Sequence, residues 1–125
     1  MQTFNILMVE DSELMRELMC ISLSRLVKVN ITEADDGLVA IKKLSSNRYD
    51  LVMADINMPV MDGIKLVKYI RNDSDHKDVP VIIISTQSNP DDIQKIKQMG
   101  VQAYLTKPVS GSEIAQTVKE LLNIK

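Results

Sequence analysis

The chain has 125 residues, 45% apolar and 26% charged, which is one domain's worth and enough to bury a core. Lys and Arg number 15 and Asp and Glu 17, a net charge of −2, so nothing pulls the chain generally toward nucleic acid or an anionic membrane. Cys20 and His76 are the only residues of their types, which excludes an internal disulfide and His/Cys zinc sites and leaves oxygen atoms as metal ligands. No apolar run reaches membrane-span length, and Met1-Gln2-Thr3-Phe4-Asn5 lacks the basic start of a signal peptide. The expectation is a cytoplasmic protein without membrane insertion.

Taken in order, the chain repeats one rhythm: apolar run, polar turn, amphipathic helix. Phe4 to Val9 reads as a first strand, and Asp11 or Ser12 can cap the helix after it. Leu14, Leu18, Ile21 and Arg25 share one face of that helix, widened by Met15, Met19 and Leu26. Met8, Met15, Met19 and Met53 read as core fillers, and Cys20 as a small apolar helix residue. Val27 to Ile31 alternates like a half-exposed strand at a sheet edge. Asp35-Asp36-Gly37 is a turn, and Leu38, Ile41 and Leu44 mark a second helix.

Asp50 to Asp55 is the third strand, and Asp62-Gly63 turns into a helix marked by Ile64, Val67 and Ile70. Asn72 to Lys77 reads as a polar loop in which His76 has no evident partner. Val79 to Ile84 is the most apolar run and so a central strand. Asn89-Pro90-Asp91-Asp92 starts a helix that stops at Met99-Gly100. Gln102 to Thr106 is a fifth strand, Lys107-Pro108 breaks it, and Ser110 caps a last helix carried by Ile114, Val118 and Leu121.

Such alternation implies an α/β fold, a doubly wound parallel sheet with helices on both faces. Active groups in these sheets gather beyond the carboxyl ends of the strands. Those ends hold Glu10-Asp11, Asp35-Asp36, Asp55, Ser85-Thr86 and Lys107. Asp55 is the hardest to explain structurally, because it closes a buried strand without starting a helix, and a buried charge is costly unless it is used. If the first and third strands are neighbours, Glu10, Asp11 and Asp55 converge. Two unit charges about 4 Å apart repel by about 4 kcal/mol at an effective dielectric of 20, so the trio calls for a cation. Lys107 can supply one charge, and a hard divalent ion such as Mg2+ suits the rest. Ser85 and Lys107 could then meet the oxygens of a phosphoryl group, with Asp55 as the nucleophile.

With Glu10-Asp11, the segment Asp55-Ile56-Asn57-Met58-Pro59-Val60-Met61-Asp62-Gly63, Ser85 after Val81-Ile82-Ile83-Ile84, and Lys107-Pro108, the chain resembles the receiver domain of two-component response regulators. It is most similar to the free-standing chemotaxis type, and the resemblance spans residues 1–125. Each motif is weak alone; the four in order make a specific match. The resemblance implies a flavodoxin-like (βα)5 sheet with strand order 2-1-3-4-5. It implies phosphorylation of Asp55 by a sensor histidine kinase or phosphotransfer protein. It implies Mg2+ (or Mn2+) on Glu10, Asp11, Asp55 and the Asn57 backbone carbonyl. Ser85 and Tyr104 would form the switch, with Lys107 pairing to the phosphoryl group. Asn57, Thr86 and Gln87 would tune access and hydrolysis, and Lys107–Pro108 would be cis. A partner would read the face formed by the fourth helix, fifth strand and fifth helix.

Glu10 where Asp is frequent, Thr86 where a smaller residue is common, and Val109 in place of Phe depart from the commonest pattern. None removes a required group. A turnover enzyme is not expected, nor nucleic-acid binding, and a monomer or weak dimer is. The alternatives are a receiver fragment of a longer regulator, or a pseudo-receiver binding module. A flavodoxin-like carrier is disfavoured by the acidic Glu10-Asp11-Ser12-Glu13 loop where FMN phosphate would sit. A phosphoaspartate phosphatase would carry its nucleophile after the first strand, where this chain has Asp11-Ser12-Glu13.

Overall fold

The computed structural model describes residues 3–26, 28–58, 61–86 and 89–124. Its elements run β1 (Phe4–Val9), α1 (Glu13–Leu23), β2 (Val29–Ala34), α2 (Gly37–Ser46), β3 (Leu51–Asp55), α3 (Gly63–Asn72), β4 (Val81–Ser85), α4 (Pro90–Lys97), β5 (Ala103–Thr106) and α5 (Gly111–Leu122). The strands form one five-stranded sheet in the order β2-β1-β3-β4-β5, and every pairing is parallel.

The central strands are apolar at consecutive positions because both faces of the sheet are covered. Successive side chains point to opposite faces, so β1 sends Leu7 and Val9 into one core and Ile6 and Met8 into the other. The first core is completed by α2, α3 and α4 through Ala40, Leu44, Leu66, Val67, Ile70 and Ile96. The second is completed by α1 and α5 through Met19, Leu23, Ile114, Val118 and Leu122. β2 lies at an edge, as its alternation predicts, and is buried only at Ala34.

Five expectations are corrected. The largest concerns α1. Leu14, Leu18 and Ile21, expected in the core, are 78%, 42% and 61% exposed, and Arg25 is exposed as well. The helix is turned so that Met19, Ser22 and Leu23 face inward. That face packs closely on α5, where a side chain at Gly111 would come within 2.5 Å of Ser22 Oγ. Leu38 on α2 is likewise 48% exposed, with Ala40 and Leu44 buried instead. β2 starts at Val29 rather than Val27, which lies outside the described residues, and runs on to Ala34. Lys28 takes a left-handed φ of 68°, so the chain is still turning there. β4 starts at Val81, after Pro80, which has no N–H for the sheet.

His76 is the fifth correction. It is 1% exposed and partnered on both ring nitrogens. Nε2 accepts from Tyr49 N–H at 3.2 Å, and Nδ1 lies 2.8 Å from Asp73 Oδ2. With Nε2 as acceptor, the ring proton sits on Nδ1 and is donated to the Asp73 carboxylate.

Candidate functional site

The site begins with strand register. Val9 pairs with Ala54, so the residues that follow, Glu10 and Asp55, sit side by side at the carboxyl edge. Of the two residues expected to cap α1, Ser12 does so, its Oγ accepting from Met15 N–H at 3.2 Å. That leaves both acids before it free of capping duty. Carboxylate oxygens of Glu10, Asp11 and Asp55 lie within 4.8 Å of one another. Glu10 is 1% and Asp55 6% exposed, while Asp11 is open to solvent. Asp36 is occupied elsewhere, capping α2, and Asp35 is exposed.

Lys107 closes the cleft from the far side of the sheet. It follows β5, and its backbone N–H donates to Ser85 O at 2.7 Å, which holds the chain against β4 as it leaves the sheet. Its Nζ donates to Glu10 Oε1 at 2.9 Å and to Asp55 Oδ2 at 3.1 Å. The Lys107–Pro108 peptide is cis. Asp55 Oδ1 accepts from Asn57 N–H at 3.1 Å, which orients the carboxylate.

The charges are not balanced. Burial pushes the Glu10 carboxyl above its ordinary value of 4.5, helped by Asp11 and Asp55, and Lys107 offsets only part of this. Burial alone would lower Lys107, but its hydrogen bonds to Glu10 and Asp55 prevail and raise it above 10.5. Three carboxylates thus cluster around a site where one ammonium pairs with two of them, Glu10 and Asp55. Oxygen donors, a surplus of negative charge and an open solvent side fit a hard divalent cation such as Mg2+.

Ser85 ends β4 and is fully buried, while Thr86 after it is exposed. Tyr104 is on β5 in register with Ile83 and packs, half-buried, on the core under α2, α3 and α4. Gln87 lies outside the described residues, as do Pro59 and Val60 of the acceptor segment.

Two contributors escape a reading of the sequence. A side chain at Gly63 would come within 2.6 Å of Asp55 O and 2.8 Å of Ile56 Cα. Only glycine lets α3, capped by Asp62, start this close behind the acceptor strand. Arg16 is the second. Its Nη1 donates to Glu10 O at 2.7 Å, and its Nε to Glu33 Oε1 at 3.2 Å. The available signal was its place one turn beyond Ser12, since helix side chains lean back toward the N-terminus.

Residues 6–119 match the response regulator receiver domain family. The chain belongs to that family. This places it in two-component phosphorelay signalling. Among curated relatives, the chemotaxis protein CheY-3 of Vibrio cholerae is 38% identical over 122 residues, covering 98% of this chain and 91% of that one. Among solved structures, the chemotaxis response regulator CheY4 of Vibrio cholerae superposes with a TM-score of 0.89 at 30% identity, covering 97% of this chain and all of that one. The response regulator TrrA of Thermotoga maritima, solved in complex with Mg2+ and BeF, superposes with a TM-score of 0.83 at 31% identity, covering 96% of this chain and 100% of that one. The receiver is thus of the CheY type. Among the described residues, no helix is long and apolar enough to cross a membrane.

Proposed function

We propose that the whole chain works as one receiver whose Asp55 accepts a phosphoryl group from a histidine kinase or phosphotransfer protein. The observation that carries this is the buried Asp55 carboxylate, tied to Lys107 at 3.1 Å and within 4.8 Å of two further acids. An Asp55 oxygen forms the O–P bond as the N–P bond of a phosphohistidine breaks, and the donor imidazole leaves with that electron pair. Lys107 meets a phosphoryl oxygen and offsets its charge. Ser85 hydrogen-bonds another, Tyr104 follows Ser85, and a partner protein reads the resulting α4–β5–α5 face.

Glu10, Asp11, Asp55 and the Asn57 carbonyl would hold Mg2+, whose chemistry is to neutralise charge on the phosphoryl oxygens. The likeness to a relative solved with Mg2+ supports this choice. Thr86 hinders access to the phosphoryl group, and Asn57 and Gln87, neither of them a general base, leave its hydrolysis without unusual acceleration. The protein is on this reading a switch that assists its own modification, not a turnover enzyme.

The donor meets an apolar rim. A groove of about 360 Å³ lined by Met15, Leu18, Thr86, Lys107, Pro108 and Val109 adjoins the cleft, and Leu14 and Ile21 of α1 extend the apolar surface. Such a surface favours a protein donor that covers it during transfer.

Acetyl phosphate with Mg2+ should add one phosphoryl group to the wild type by mass, and none to Asp55→Ala. Equal labelling of the two proteins would overturn the assignment of Asp55.

A further inference from the structure

Glu10 is held at four points. Its N–H donates to Ala34 O at 3.0 Å. Its side chain accepts from Lys107 at 2.9 Å and from Ser12 N–H at 3.3 Å. The fourth hold is the 2.7 Å hydrogen bond from Arg16 to its backbone carbonyl. That carbonyl and the Asp11 nitrogen share one rigid peptide plane, so Arg16 orients the unit from which the Asp11 carboxylate projects. Arg16 is itself only 18% exposed at its side chain and is gripped by Glu33 at 3.2 Å on the edge strand β2. The guanidinium fork suits this double duty, taking a carbonyl with one nitrogen and a carboxylate with another. A chain of contacts thus runs from the edge of the sheet to the acidic cleft, through groups that would not touch the ion.

We infer that Arg16 is a positioning residue for divalent-cation binding at Glu10, Asp11 and Asp55, and that Glu33 sets Arg16. The inference rests on the metal reading given above. Its sign makes it testable. A guanidinium near a cation site weakens cation binding through space, so acting by charge alone its removal would tighten Mg2+. Acting by position, its removal frees the Glu10–Asp11 peptide and loosens Mg2+. Partners that orient metal ligands without touching the ion commonly carry a tenfold effect or more.

The experiment is calorimetric titration of the full chain with Mg2+, with Mn2+ electron paramagnetic resonance as a second measure, and no phosphorylation involved. Arg16→Ala should weaken binding roughly tenfold. Arg16→Lys, which keeps a donor for the carbonyl, should recover part of the loss. Glu33→Gln should weaken binding to a smaller degree in the wild type and not at all in the Arg16→Ala background. If Arg16→Ala is too unstable to titrate, Arg16→Lys and Glu33→Gln carry the same comparison. Unchanged or tighter Mg2+ binding in folded Arg16→Ala overturns the inference, as does a Glu33→Gln effect that persists without Arg16. A lowered melting temperature with wild-type affinity means a structural role only, and also overturns it. A wild type that binds neither ion removes the metal reading itself, and the inference with it.

Discussion

The two ends of the sheet treat charge in opposite ways. At the carboxyl end, three carboxylates cluster with one ammonium that pairs with two of them, and Glu10 is pushed toward its neutral form. At the amino end, polar groups are matched almost one to one. His76 joins Tyr49 to Asp73. Arg71 ties the end of α3 to the start of β5 through Gly100 O at 2.6 Å and Gln102 Oε1 at 3.3 Å, and it also reaches Lys77 O at 3.0 Å. Gln102 in turn accepts from Val81 N–H at 2.8 Å. Gly100 turns the chain there with a φ of 87°, and a side chain on it would press to 3.1 Å from Arg71 Nε. The difference teaches where stability and reactivity are kept. Hydrogen bonds of this kind tie the starts of β3, β4 and β5 together at one end, while the other end carries an excess of charge that a cation or phosphoryl group could relieve. Strain of this kind persists only where the surroundings overdetermine it.

The contrast can be broken most severely at His76. His76→Ala should strand the Tyr49 N–H and the Asp73 carboxylate and open a cavity, costing roughly 3 kcal/mol in urea unfolding. Phosphorylation of the folded fraction should be unchanged. A drop in Asp55 labelling matching the stability loss would show that the two ends are coupled after all.

A smaller effect of opposite sign is expected at the cleft. Asp55→Asn removes one of three crowded negative charges and should stabilise the Mg2+-free protein by roughly 1 kcal/mol. Thermal unfolding in chelator measures it, and a destabilised variant would mean that Lys107 already balances the trio.

The smallest effect is in acid. The hydrogen bond from His76 holds Asp73 below its ordinary 3.8. A carboxyl lowered in the folded state stabilises the protein fully above its unfolded value. That contribution fades as pH falls through the lower, folded value. Asp73→Asn keeps an acceptor for His76 but cannot titrate. Its stability should fall less steeply than that of the wild type as pH drops below about 4, measured by urea unfolding across that range. Parallel slopes would remove Asp73 from the acid transition.

Much of the site was legible because it is written in local signals. The strand ends are set by apolar runs that stop at turn residues, so Asp55, Ser85 and Lys107 could be placed at one edge before any packing was known. Parallel topology then makes one edge the functional one. Capping chemistry was legible too, but not who does it: Asp11 and Ser12 were equal candidates for the start of α1, and Ser12 Oγ makes the bond. Arg16 and His76 were only half legible: Glu10 and Asp73 lie within a few residues of them, but their second partners lie far along the chain. His76 meets Tyr49 and Arg16 meets Glu33 only after β-α-β crossovers bring those segments together.

The alternation of elements, the two covered sheet faces and the residue types waiting at each strand end follow from the amino-acid order alone, because period, turn chemistry and caps act over a few residues. Which way each helix faces and which acids meet depend on packing between distant segments. On α1 the leucine stripe looked like the core and is instead solvent-facing, because the contact of Gly111 with Ser22 rewards a small-residue approach that no single helix encodes. At the cleft, Glu10 and Asp11 join Asp55, and Asp36 does not, because β1 pairs with β3 while Asp36 is engaged in capping α2. Pairing between distant strands sets that choice, and it exists only once the sheet is assembled.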